Sequence, residues 1–261
     1  MPMHPRLNAR LAARRLAALG AGLALACSRW APAPVPMRSL ALGRSAPLAP
    51  CLVVMLPGRG GRPEDFAVAR FPEMAAEAGV AADFVAADLR LAYFLRQKAV
   101  DRLHGDVIGP ARARGYRQVW IVGVSLGGSG ALLYVQQHPA EISGLLLIAP
   151  YLGEPALARE VDAAGGLARW TPAAVPPRDD FGRPLWAELK RCMPGGERAL
   201  PLYLGYGEHD RFAFPDGLLA AALPSEHVFR PPGHHDWATW TRVWRMFLAS
   251  GALPRRAPAP G

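Results

Sequence analysis

Residues 118–137 constrain this chain more than any other stretch. A β-branched and aromatic run, Gln118-Val119-Trp120-Ile121-Val122, passes directly into Gly123-Val124-Ser125-Leu126-Gly127, and the helix-like run Ala131-Leu132-Leu133-Tyr134-Val135 follows. A strand that turns into a helix this abruptly holds the residue at the tip in a strained backbone conformation. Side chains two positions to either side would collide there, and glycine removes them. Gly123 and Gly127 meet that requirement, while Gly128 and Gly130 keep the helix surface small enough to approach the strand closely. In this context G-x-S-x-G reads as an elbow that presents the Ser125 hydroxyl beyond the end of a strand.

Strand-like and helix-like runs alternate from Cys51 onward. Residues 51–56 form an apolar strand stopped by Pro57-Gly58. Residues 63–78 have helical composition, with Phe66, Ala67, Phe71 and Met74 recurring on one face. Residues 80–86 are strand-like, and 91–114 predict a helix with a break at Gly105 or Gly109-Pro110. Two more apolar strands cover 142–148 and 200–204, and a last helix runs over 237–248. This alternation predicts right-handed βαβ units, a mostly parallel sheet and helices on both faces. Strands as uniformly apolar as Leu145-Leu146-Leu147-Ile148 fit burial on both sides.

Residues 151–196 interrupt the pattern with proline, glycine, Asp179-Asp180 and several aromatics. They read as a short cap inserted over the sheet at about 151–198. Trp170, Phe181, Leu185 and Trp186 either line a pocket or seal the cap onto the sheet, and sealing is the simpler reading. Residues 28–50 read as linker and N-terminal segment, 51–253 as one folded domain, and 254–261 as a disordered tail. Cys51 reads as a small buried hydrophobe, and Cys192 falls in an irregular segment. Nothing in their spacing requires a disulfide.

The formal net charge of +9 lies wholly at the N-terminus. Nine arginines and no acidic residue precede Glu64, whereas residues 64–261 carry 21 basic and 21 acidic side chains. An electroneutral body offers no basic groove to track phosphates, which argues against nucleic acid as a partner. Arg6, Arg10, Arg14 and Arg15 followed by the apolar run Leu16–Ala26 have the order of an export signal. The apolar run has 11 residues, short of the ~20 that span a bilayer. Leu23-Ala24-Leu25-Ala26-Cys27 resembles a bacterial lipoprotein cleavage box with Cys27 as the lipidated residue, although Ala24 stands where leucine is usual. Arg14-Arg15 leaves a twin-arginine route open. Ala31-Pro32-Ala33-Pro34-Val35-Pro36 reads as a semi-rigid spacer that would hold the domain just off a membrane surface. The expected location is the bacterial cell envelope, lipid-anchored or periplasmic.

From about residue 51 to 249 the chain resembles the α/β-hydrolases, in the broad group of serine esterases and lipases. Four places carry the resemblance, in the order the family has them. They are the Ser125 elbow; Leu56-Pro57-Gly58-Arg59-Gly60-Gly61, where the family commonly has His-Gly-x-Gly; Leu204-Gly205-Tyr206-Gly207-Glu208-His209-Asp210, an acid after a late strand; and Pro232-Gly233-His234-His235-Asp236-Trp237 before the last helix. The resemblance implies an α/β-hydrolase fold and a triad in the order Ser, acid, His. A serine hydroxyl needs a histidine to take its proton, and the histidine needs a carboxylate to fix its tautomer. Ser125, Asp210 and His235 are the candidates, with Glu208 and Asp236 as competing acids and His234 as the competing base. By resemblance the oxyanion-hole donors are the main-chain amides of Leu126 and Arg59. Pro57 stands where the family often has histidine, which spares main-chain donors but removes a side chain that braces the loop.

Asp236 also suits the N-cap of a helix carrying Trp237, Trp240, Trp244 and Phe247 on one face, a stripe that reads as core. His104, His138 and His227 read as surface or structural residues. His209, Asp210, His234 and His235 are metal-ligand types, but they lack the spacing of known zinc sites, so no metal or other cofactor is expected. The expected activity is cleavage of a small-molecule carboxylic ester or other acyl substrate through an acyl-enzyme on Ser125. A thioesterase, acyltransferase or peptidase would use the same parts, and a binding protein could keep this scaffold without turnover. Acyl-chain length and oligomeric state are not legible in the residues.

Overall fold

The structure, a computed structural model, describes residues 33–45, 48–172 and 180–256. The expected export signal, Cys27 and residues 257–261 of the tail lie outside the described residues.

Seven strands form one sheet: β1 (Ser39–Gly43), β2 (Cys51–Leu56), β3 (Ala82–Ala87), β4 (Gln118–Val124), β5 (Gly144–Ile148), β6 (Leu202–Gly205) and β7 (Val228–Phe229). Their spatial order is β1-β3-β2-β4-β5-β6-β7. β1 runs antiparallel to β3, and all other neighbours are parallel. β2 and β5 are buried at every residue, and β4 at every residue except Gln118. That is why these three read as unbroken apolar runs, since a central parallel strand is covered on both sides.

The helices are α1 (Glu64–Val68), α2 (Phe71–Glu77), α3 (Leu91–Leu95), α4 (Ala99–Leu103), α5 (Gly109–Ala113), α6 (Leu126–Gln137), α7 (Pro155–Ala163), α8 (Gly182–Cys192), α9 (Ala213–Ala220) and α10 (Trp237–Ala249). The connection from β2 to β3 and that from β4 to β5 step across the sheet in opposite directions. Right-handed crossovers therefore place α1 and α2 on one face and α6 on the other. The tryptophan stripe of α10 packs on the α2 side, where Trp244 stacks on Phe71 at 5.2 Å between centroids and 3° between planes. The Trp244 indole N–H donates to the Phe71 carbonyl at 2.9 Å, so this side chain is buried with its one polar group paired.

Several boundaries differ from the sequence expectation for local reasons. Residues 28–50 are not all linker: Ser39–Gly43 form the edge strand β1. The end of the expected spacer is also tied down, because the Tyr93 hydroxyl donates to the Pro34 carbonyl at 2.5 Å and the Met37 amide to Asp106 at 2.6 Å. The helix expected over 63–78 is split into α1 and α2 by Arg70, whose φ of 59° lies in the left-handed region. The helix over 91–114 breaks at Gln97 (φ 54°) rather than at its glycines. The stretch His104–Ile108 is a π-helical turn between α4 and α5, which accommodates Pro110 and its missing N–H without ending the helix. Residues 151–198 contain α7 and α8, and Cys192 is the last residue of α8 rather than part of an irregular segment. Trp170, Leu185 and Trp186 are 2%, 0% and 0% exposed. They seal this segment onto the body, and Trp186 donates to the Leu152 carbonyl at 2.9 Å. Arg183 clamps α8 to α7 through both oxygens of Glu160, at 2.6 and 2.8 Å, and these bonds hold the Glu160 carboxyl down at about 2. Cys51 and Cys192 are both buried and unpaired with each other, and burial pushes each thiol up to about 12. The first residues of the expected disordered tail are ordered, since Pro254–Arg256 pair with Gly79–Ala81.

Trp244→Ala should cost about 3–5 kcal/mol through the cavity it leaves, measured as a fall in the urea midpoint at unchanged m-value.

Candidate active site

The elbow is built from contacts that leave no room for side chains. Ser125 has φ 51° and ψ −117°, a conformation that costs a non-glycine residue of order 1–3 kcal/mol. Its main chain is held on both sides. The Ser125 amide donates to the Ile148 carbonyl at 2.8 Å, and its carbonyl accepts from the amides of Gly128 and Tyr151 at 2.9 and 3.0 Å. A Cβ on Gly127 would stand 2.2 Å from the Leu56 carbonyl oxygen, and one on Gly123 would stand 2.6 Å from that of Gly127. Both glycines of the pentapeptide are thus required by the approach of α6 to β2 and β4.

The acid and the histidine arrive on two loops zipped together by main-chain bonds. Glu208 N–H donates to the Pro231 carbonyl at 3.1 Å and His209 N–H to that of Gly233 at 2.9 Å. This pairing sets Asp210 beside His235. His235 Nδ1 lies 3.0 and 2.9 Å from the two carboxylate oxygens of Asp210, and Nε2 lies 3.1 Å from Ser125 Oγ. The Asp210 side chain is fully buried and that of His235 is 12% exposed. Asp210 Oδ1 also accepts from the Phe212 amide at 2.8 Å, which locks its carboxylate plane. The imidazole is gripped edge-to-face by Phe212 and Trp240, each 5.0 Å away between centroids. A hydroxyl, an imidazole and a carboxylate in this line can pass a proton from oxygen to nitrogen and stabilise the charge that results.

The competing residues are placed elsewhere. His234 is exposed, with Nδ1 3.2 Å from the His209 carbonyl, and Glu208 is exposed. Asp236 accepts from the Thr239 amide at 2.8 Å as the N-cap of α10, and that bond lowers its pKa. Leu126 opens α6, and Arg59 follows Gly58, whose Cβ would stand 3.1 Å from Ser125 Cβ. Among the described residues no acceptor engages the amide of Leu126 or Arg59. Both N–H groups belong to the turns that flank the serine. Phe181, half-buried, joins a row of aromatic rings that leads away from His235 through Phe212 and Tyr151 to Phe181 and Phe94, with centroid separations of 5.6, 6.1 and 6.1 Å along the row. Sequence reasoning named Phe181 but missed Tyr151 and Phe212, which carry no motif.

One further residue was missed. Asp216 on α9 is wholly buried, and neither carboxyl oxygen has a partner among the described residues. Burial, reinforced by nearby Asp210, pushes its carboxyl well above the usual carboxylate range. The only grouping of metal-ligand types among the described residues is His104, His138 and Glu141. There the two imidazoles stack 4.2 Å apart at 2°, so their in-plane lone pairs do not converge on one point.

No protein-family model and no curated protein matches this chain. Solved structures do. A ferulic acid esterase superposes with TM-score 0.52 at 16% identity, covering 77% of this chain and 84% of the other. The S-formylglutathione hydrolase of Staphylococcus aureus gives 0.51 at 12% identity, covering 77% and 80%. The monoacylglycerol lipase of Paleococcus ferrophilus gives 0.51 at 15% identity, covering 83% and 99%.

The Asp216 arrangement has a consequence for stability. In the unfolded chain this carboxyl ionises near 3.8, whereas the folded state keeps its proton to higher pH. Its contribution is therefore present below about pH 4 and is lost as pH rises towards the folded-state value. Asp216→Asn should flatten that slope, so that thermal melts from pH 4 to 8 show the variant gaining on the wild type as pH increases.

The seven-stranded, mostly parallel sheet, the helices on its two faces and the likeness to these solved hydrolases together establish that the chain has the α/β-hydrolase fold.

Proposed function

We propose that the chain is a serine hydrolase that cleaves a carboxylic ester through an acyl-enzyme on Ser125. The observation that carries this reading is the unbroken line of hydrogen-bond distances from Ser125 Oγ through both His235 nitrogens to Asp210. Ser125 Oγ attacks the ester carbonyl while His235 Nε2 takes its proton. Asp210 accepts from Nδ1–H, which keeps the Nε2 lone pair directed at the serine and stabilises the imidazolium as it forms. The charge that develops on the carbonyl oxygen falls to the Leu126 and Arg59 amides, donors whose positions are set before the reaction begins. Collapse of the tetrahedral intermediate breaks the bond to the alcohol, which leaves with the proton from His235. Water, deprotonated by the same histidine, then attacks the acyl-enzyme and releases the acid. The row Phe212, Tyr151, Phe181 and Phe94 offers an apolar surface to the non-reacting part of the substrate. Solved hydrolases of the same fold, an esterase and a lipase by name, support the assignment.

A fluorophosphonate probe should label the folded full chain and fail to label Ser125→Ala and His235→Ala. Asp210→Asn should lower kcat on a p-nitrophenyl ester by about 10⁴-fold. A folded wild-type chain that neither labels nor turns over would replace this reading with that of a hydrolase-fold binding protein.

A further inference from the structure

A cavity of about 720 Å³ opens where the loop after β2 faces the loop after β3. Its charged lining is Arg38, Arg59, Arg62 and Arg90 with Glu64 and Asp88. Both acids are already engaged. Arg38 pairs with Glu64, and Asp88 accepts from Arg90 Nε and Nη2 at 2.9 and 2.6 Å. Arg59 and Arg62 remain. Among the described residues no carboxylate oxygen comes within 4.0 Å of either guanidinium. The cavity therefore carries an excess of two positive charges, in a body whose 21 basic and 21 acidic residues from position 64 onward otherwise balance.

The location gives this charge a role. Chain connections leave β2 and β4 in opposite directions, and open α/β sheets take their ligands beyond the strand ends at such a point. Ser125 stands at the end of β4, and Gly58, whose Cβ would lie 3.1 Å from Ser125 Cβ, at the end of β2. The cavity begins at the next residue. Arg59, directly after Gly58, lines the cavity, and Arg62 lines it from the same loop. Guanidinium groups bind carboxylate and phosphate oxygens through paired, charge-assisted hydrogen bonds.

We infer that this cavity holds an anionic group, a carboxylate or a phosphate, carried by the ester whose acyl group Ser125 receives. The anion site stands on the arginine arrangement alone, and its link to the ester rests on the hydrolase reading.

Two measurements separate these parts. Calorimetric titration of Ser125→Ala full chain with glutarate and with phenyl phosphate should show binding of at least one, which also distinguishes carboxylate from phosphate. Neutral glutaramide should not bind. Adding Arg59→Gln and Arg62→Gln together should weaken binding about tenfold or more, and raising the salt to 1 M should weaken it as well. No binding of either anion, or equal binding by the double arginine variant, overturns the proposal. In turnover, the wild type should prefer mono-p-nitrophenyl glutarate to p-nitrophenyl valerate in kcat/KM by about tenfold, and that ratio should collapse in Arg62→Gln. A chain that turns over the neutral ester with no preference for the anionic one refutes the link to substrate and leaves the hydrolase reading intact. Anion binding without labelling or turnover refutes the hydrolase reading and leaves the anion site standing.

Discussion

The packing of the turn at Ser125 against the ends of β2 and β5 is the constraint around which the site is assembled. A Cβ on Gly127 would all but overlap the Leu56 carbonyl oxygen, so α6 begins as close to the sheet as a polypeptide can. The backbone strain at Ser125 is offset by three main-chain hydrogen bonds, to Ile148, Gly128 and Tyr151. Those partners come from β5, from the helix itself and from the loop that leads into α7. The serine is consequently fixed relative to three separate parts of the chain before any side chain is considered.

The histidine is fixed by a different means. Its position depends on the pairing of the loop after β6 with the loop before α10, through Glu208 with Pro231 and His209 with Gly233. Two aromatic rings and the Asp210 carboxylate then leave the imidazole one orientation. Asp216 is wholly buried without a partner among the described residues, and burial raises its carboxyl well above the usual carboxylate range.

The surroundings of Ser125 differ across the sheet. On the β2–β3 side lie the arginines of the cavity. On the β5–β6 side lie Tyr151 and Phe212, which begin the aromatic row that Phe181 and Phe94 extend. The two surroundings meet at α3, whose Leu91 lines the cavity and whose Phe94 ends the aromatic row.

The residues alone determined a good deal. The apolar runs of β2, β4 and β5 were legible because strands buried on both faces tolerate no polar residue. The elbow was legible because its glycines are a local steric requirement, written within five positions of Ser125. The Asp236 cap and the tryptophan stripe were legible for the same reason, since cap and stripe follow the geometry of one helix. What tertiary structure decided is what depends on distant residues meeting. β1 is an edge strand that pairs, among the described residues, with β3 alone, so its own composition could not announce it. The breaks at Arg70 and Gln97 fall on residues with no intrinsic turn preference, held in the left-handed region only in the folded chain. The choice of His235 over His234 depends on a serine 110 positions away and an acid 25 positions away, and only the zipped loops bring one imidazole rather than its neighbour to that point. The arginine cavity likewise joins residues from three separate stretches of chain, each unremarkable in sequence. Short-range periodicity records what a segment does by itself, whereas a site is made by the closure of long loops, which sequence spacing does not encode.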